Sequence, residues 1–181
     1  MTPSPDEGLP DVSDVVAEYR ARARDPDRRR PEGLLGRLSD LHQTNVTQWS
    51  FEDSVRSSGG DDTMVANAKR EIDALNARRH HLVEAIDAAI DEAIPQMPSA
   101  TPSTESPGMV FDRLSVLVIR IYHTELAAVA NPSDGNQYVN RLPVLHGQLA
   151  MLEEALAALL DEIRAGTKHF VPYQSLKLYA Q

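Results

Sequence analysis

The sequence predicts an all-α fold: an antiparallel bundle of four long helices with an extra N-terminal helix and a short C-terminal tail. Three observations predict it. Apolar residues recur at steps of three and four, Pro and Gly clusters separate the segments that carry them, and strand-like alternation never lasts. Leu142, Leu145, Leu149, Leu152, Leu156, Leu159 and Ile163 form one heptad-like seam, and Ile72, Leu75, Leu82, Ile86 and Ala89 or Ile90 form a second. Alternation of β-branched residues is confined to Val116–Ile119, inside a helical pattern. A bundle buries such seams with the shortest connections.

Each element follows from its punctuation. Residues 1–10 carry three prolines and read as a loose tail. Val12 to Arg24 forms a short helix with Ser13 as its N-cap, and DPDRRRP breaks it. A second helix runs from Pro31 or Glu32 to Ser57 and stops at SSGGDD. The third spans Asp62 to Ile94, ahead of Pro95. Residues 95–108, PQMPSATPSTESPG, read as a Pro/Ser/Thr-rich loop. The fourth helix covers Met109 to Ala130, closed by NPSDG. The fifth runs from Asn136 through Pro143 to Ala165, ending before Gly166. Two regions result: 1–30, a tail and short helix, and 31–181, a single bundle domain.

Composition narrows the function. The chain has 181 residues, a formal net charge of −9, no cysteine and 5% aromatics. Absence of cysteine excludes disulfides, thiolate zinc sites and a cysteine nucleophile. Acidity and few aromatics argue against nucleic acid as a partner, because phosphate neutralisation needs positive surface and base stacking needs rings. The RARARDPDRRR run at residues 20–30 is interleaved with acids and reads as a solvated loop. No signal peptide begins at MTPSPDEGLP, and Met109–Ala130 is interrupted by charges, so no membrane partner is expected and the cytoplasm is the expected compartment.

The informative residues are polar ones on apolar stripes. Leu34, Leu38 and Leu41 define a stripe that helical steps carry to Asn45, Trp49, Glu52 and Arg56, with His42 and Asp53 beside it. Arg79 takes the seam position between Leu75 and Leu82. Asp73, Asn76, His80, Glu84 and Asp87 line one flank of the same helix. In the fourth helix Asp112, Ser115, Ile119 and His123 share a face, with Arg113 and Arg120 a quarter turn away. Buried charges must satisfy each other or a ligand. Either an ion-pair network or a polar pocket between helices meets that demand, and spacing does not separate the two.

The phrases LHQTNVTQWSFEDSVR, AKREIDALNARRHHLVEAID, ESPGMVFDRLSVLVIRIYH and PYQSLKLY resemble, in order, the blocks of a bacterial family, domain-of-unknown-function family 4254, over roughly residues 34–181. The family pattern falls on Asn45, Trp49, Glu52, Asp53 and Arg56, then Asp73, Asn76 and Arg79, then Asp112, Arg113, Ser115 and His123, and finally Tyr173, Lys177 and Tyr179. The chain departs from it at Arg120 and Leu176. The resemblance implies an all-helical cytoplasmic protein without an assigned reaction, whose relatives accompany sugar transfer and specialised metabolism.

Known chemistries fit unevenly. Glu84 and Asp87 make one ExxD pair for magnesium, as in all-α nucleotide pyrophosphohydrolases, but Glu52 and Asp53 are adjacent and diverge by about 100° on a helix, so the matching pair is missing. No metal site is therefore expected, Glu84 and Asp87 being the nearest to one. His80, Glu84 and Asp87 lack an HxxxH or ExxH partner. No GxSxG elbow or phosphate-binding glycine loop occurs. Asp112 and His123 stand about 16 Å apart along one axis and cannot form a dyad.

The expectation is a polar interhelical pocket for a small anionic or sugar-like metabolite, bound by Asn45, Trp49, Asp53, Arg56, Asp73, Asn76, Arg79, Asp112, Arg113 and Lys177. Glu52 and His123 would be its acid–base groups if it is catalytic. A non-catalytic helper or scaffold of a glycosyltransferase or biosynthetic enzyme is the rival reading, a Mg-dependent nucleotide pyrophosphohydrolase-like enzyme the second alternative, and a homodimer through the helical seam the further partner. The residues name no cofactor. The tail, through Phe170, Val171, Leu176 and Leu178, is expected to fold back on the bundle and bury Phe170 and a tyrosine, with Lys177 closing the pocket or a subunit contact.

Overall fold

The computed structural model describes residues 9–57, 62–130 and 135–176, with side chains described outside 55–57, 62–65 and 135–136. Its helices are α1 (Val12–Arg24), α2 (Gly33–Ser57), α3 (Asp62–Ala93), α4 (Pro107–Ala130) and α5 (Gly135–Arg164). The all-α expectation holds, with bounds a residue or two from those the Pro and Gly signals set. Helix α1 has the predicted bounds but a different cap. Asp11, not Ser13, is its N-cap: the Asp11 carbonyl accepts from the Asp14 and Val15 N–H groups at 3.0 and 3.1 Å, without a side-chain cap. Val12 is already buried beside Val15 and Val16, so the first turn must form ahead of Ser13.

Helix α4 lies at the centre and packs against each of the other four helices. That position explains its sequence, because a helix covered on many sides needs apolar residues around most of its circumference. Val110, Phe111, Leu114, Leu117, Val118, Ile119 and Ile121 are all buried. Helix α2 packs along α3, and α5 along α4, while α1 bridges α2, α4 and α5. Among the described residues, no Cα of α5 comes within 8 Å of one in α2 or α3. The seam of α5 is buried at Leu145, Leu149, Leu156, Leu159 and Ile163, whereas Ile72 and Leu75 of α3 are only half-buried. No described helix is long and apolar enough to cross a membrane.

The chain after α5 folds back. Gly166, at φ 68°, closes α5: its N–H bonds to the Ile163 carbonyl at 3.0 Å and the Thr167 N–H to that of Glu162 at 2.9 Å. This is the paired C-terminal motif that favours glycine. Lys168–His169 (β2) then lies parallel to Thr101–Pro102 (β1). No strand was expected, since a two-residue pairing between distant segments leaves no alternation to read. Phe170 is buried, as predicted, and Tyr173 packs half-buried against the core. Lys177 and Tyr179 lie outside the described residues.

The arginine-rich run corrects the solvated-loop reading. Arg22 and Glu18 are both buried, paired at 3.2 Å, with the Ser39 hydroxyl donating to Glu18 at 2.7 Å and Arg28 reaching its other oxygen at 3.1 Å. Arg30 forks onto Asp40. These pairs fasten α1 and the following loop to α2, and Glu18 and Arg22 lie on the same stripe as Val15 and Tyr19. Interleaved acids had suggested local neutralisation in solvent; instead the partners come from a turn earlier and from α2.

Candidate functional site

Polar residues from three helices converge where α2 and α3 meet α4. Asn45, on α2, donates from Nδ2 to Asp112 Oδ1 at 2.9 Å and to Ser115 Oγ at 3.0 Å. His42, one turn earlier on α2, places Nδ1 2.9 Å from the same hydroxyl. Its ring stacks on Tyr19 of α1 at 4.6 Å and 10°. Arg79, on α3, forks onto both Asp112 oxygens, Nε standing 2.8 Å from Oδ1. Asn45, Asp112, Ser115 and His42 are all buried, and Arg79 is half-buried. The spacing that put Asn45, Arg79, Asp112 and Ser115 on apolar stripes therefore brings all four together.

The environment fixes their charge states. Burial, aided by the Arg22 charge, lowers the His42 pKa to about 3, so its imidazole is neutral. Burial and the Asp112 charge raise the Tyr19 phenol well above its usual value. The Asp112 carboxylate holds the Arg79 guanidinium protonated, with smaller help from Tyr173 and Glu52.

A cavity of about 220 Å³ opens beside this network, walled by Arg79, His80, Glu105, Asp112, Arg113 and Tyr173. Arg113 is exposed and pairs with Glu105. Tyr173 comes from the returning tail and meets the His80 ring at 5.8 Å. A second, larger cavity of about 630 Å³ lies on the other side of Arg79 and Arg113, between α3, α4 and α5.

Other predicted residues fall elsewhere. Trp49 and His123 stack on each other at 5.2 Å and 15°, away from the Arg79 cavity. Burial lowers the His123 pKa while the Asp53 charge opposes it, which places Asp53 beside this pair. Glu52 accepts from Gln48 Nε2 at 3.1 Å. Asp73 is exposed and Asn76 half-buried, and neither walls the cavity. The Arg56 side chain and Lys177 lie outside the described residues.

Glu84 and Asp87, the carboxylates nearest to a metal pair in the sequence, are engaged by backbone donors. The Asp87 oxygens accept the Gly108 N–H at 2.7 Å and the Tyr173 N–H at 2.9 Å, and Glu84 accepts that of Ser175. They clamp the start of α4 and the tail to α3. No group of three or more His, Cys, Asp or Glu among the described residues is arranged to hold a metal ion.

The family model described as "Protein of unknown function (DUF4254)" matches residues 36–171. The chain belongs to that family. The match runs from α2 through the tail strand, so the converging network on α2, α3 and α4 lies within it, as does every wall of the Arg79 cavity except Tyr173, while α1 with its buried Glu18–Arg22 pair lies outside. No curated protein and no solved structure matches the chain.

Sequence reasoning passed over Glu18, Arg22, Tyr19 and the clamping role of Asp87. The first three were findable, because Val15, Glu18, Tyr19 and Arg22 share one helical stripe. The Asp87 role had no local signal, since its partners are the backbone of Gly108 and Tyr173.

Proposed function

We propose that the Arg79 cavity binds a small anionic, sugar-like metabolite, with a sugar phosphate as its simplest form. The observation that carries this is the mixed lining: two guanidinium groups, two carboxylates and two rings around about 220 Å³. Guanidinium forks suit phosphate or carboxylate. The carboxylates of Glu105 and Asp112 accept from hydroxyls, and Tyr173 and His80 offer faces for the C–H side of a sugar. The Arg113–Glu105 pair is solvent-exposed, so exchanging its carboxylate for a ligand anion costs little. Of the two expected acid–base groups, Glu52 is the one whose charge reaches Arg79, and His123 belongs to the separate Trp49 stack.

This reading takes the four long helices as two antiparallel hairpins, α2–α3 and α4–α5, and the protein as cytoplasmic. Binding is tested by isothermal calorimetry with glucose 1-phosphate and UDP-glucose, against glucose and inorganic phosphate as controls. Arg113→Gln and Tyr173→Ala should each weaken the phosphorylated ligands by tenfold or more. If neither phosphorylated ligand binds, or both variants bind as the parent does, the pocket reading is wrong.

A further inference from the structure

The larger cavity has a different character. Helix α4 touches both α3 and α5, yet no described Cα of α3 comes within 8 Å of one in α5, so a lengthwise strip of α4 is left uncovered between them. Packed helices stand about 8–10 Å apart, and a strip bounded by two helices has the shape of a missing third. The resulting furrow, about 630 Å³, is lined by Arg79, Arg113 and Arg120 and by no carboxylate, on a chain whose net charge is −9.

We infer that this furrow seats an acidic amphipathic α-helix of a partner protein. Arg113 and Arg120 are seven residues apart on α4, two turns or about 10.5 Å on one face. Carboxylates at positions i and i+7 of a docking helix match that spacing. Val116 and Leu117 form the floor between the arginines and meet apolar residues at i+3 and i+4, the usual anchors of a helix in a groove. Met151 forms the α5 rim and is 74% exposed, and methionine is a side chain that adapts to such partners. Arg120 makes no ion pair among the described residues, and the exposed Arg113–Glu105 pair exchanges readily. Charge, spacing and shape thus select one occupant. The inference stands apart from the pocket reading, because Arg120 and Met151 do not wall the smaller cavity.

The test pans a displayed library of 18-residue helical peptides, randomised at positions i, i+3, i+4 and i+7 over acidic, basic, apolar and hydroxyl residues, against the intact chain. Peptides with acids at i and i+7 around apolar residues at i+3 and i+4 should be enriched. Fluorescence anisotropy should then show Arg120→Glu weakening the enriched peptide at least tenfold, and a Glu→Lys change at the facing peptide position restoring it. Met151→Asp should also weaken it. Both positions are exposed, and circular dichroism of each variant checks its fold. No enrichment, enrichment of basic helices, or binding indifferent to Arg120→Glu overturns the inference. So does a dimer, seen by light scattering, that Met151→Asp dissociates, since a second copy would then be the occupant. Glucose 1-phosphate binding unchanged by Arg120→Glu keeps the two sites experimentally distinct.

Discussion

His42 offers the sharpest test of the buried network. Its side chain is fully buried, its Nδ1 is bonded to Ser115, and its pKa is lowered to about 3 against an ordinary value of 6.5. Between those two values the unfolded chain takes up a proton that the folded chain refuses. Stability from this group is therefore complete above about pH 6.5 and is lost as pH falls towards 3, at about 1.4 kcal/mol per pH unit. From pH 6.5 to 5 the loss is about 2 kcal/mol, and over the whole window about 5 kcal/mol. The neighbours differ in sign. His123, also lowered by burial, adds to the loss. Asp87, raised by burial, opposes it, because its folded form binds a proton more readily than the unfolded one. Glu84 is lowered by the Ser175 N–H and adds to the loss only as pH falls below the ordinary carboxylate range.

Comparison with His42→Phe removes those shared contributions. Phenylalanine keeps a ring against Tyr19, and Ser115 retains its bond from Asn45. Urea unfolding followed by circular dichroism from pH 7 to 5 should show the parent losing about 2 kcal/mol more than the variant. Parallel stability curves would show that His42 is protonated in the folded state and would refute the reasoning.

Two further variants test the clamp on α3. A Cβ at Gly108 would stand 2.7 Å from Asp87 Oδ1 and 2.9 Å from the Val83 carbonyl, so Gly108→Ala should cost about 1–3 kcal/mol in urea unfolding, and an unchanged midpoint would contradict the close approach of α3 and α4. Asp87→Asn leaves one carbonyl oxygen for two backbone donors, so it should cost about 1–3 kcal/mol and speed tryptic cleavage at Lys168, whereas unchanged cleavage would show that the tail is held elsewhere.

What the sequence disclosed was local. Helix bounds were readable because Pro, Gly and apolar periodicity act within a few residues, and the seam of α5 is buried where its steps put it. Candidate site residues were readable as interruptions of those stripes: Asn45, Arg79 and Asp112 stood out as polar groups where burial was due. Their pairing was not readable, since Arg79 and Asp112 are on different helices and meet only when α3 crosses α4. Asp73 shares the flank of Asn76 and His80 by period, yet it is exposed, because neighbouring helices cover only part of α3 there. His123 shares the α4 face of Asp112, but about 16 Å of helix carries it to Trp49 instead. Arg22 was hidden by its setting, an arginine run in which one member is buried and the others are not.

The order of the network bears on what it is for. From Tyr19 and His42 through Ser115, Asn45 and Asp112, each group except the last, Arg79, is buried, and each hydrogen bond leads one step nearer the surface. Well-packed apolar residues of similar volume often stabilise a core as much as such a chain or more. Stability alone therefore does not account for five polar side chains on three helices. The chain does fix the Arg79 guanidinium in one plane, both Asp112 oxygens being engaged and Asp112 itself held by Asn45. Together with Arg113, that guanidinium forms the wall shared by the smaller cavity and the furrow. A side chain with arginine's rotamer freedom would otherwise lose that position to thermal motion. The buried polarity is best explained by the direction it imposes on its one accessible end.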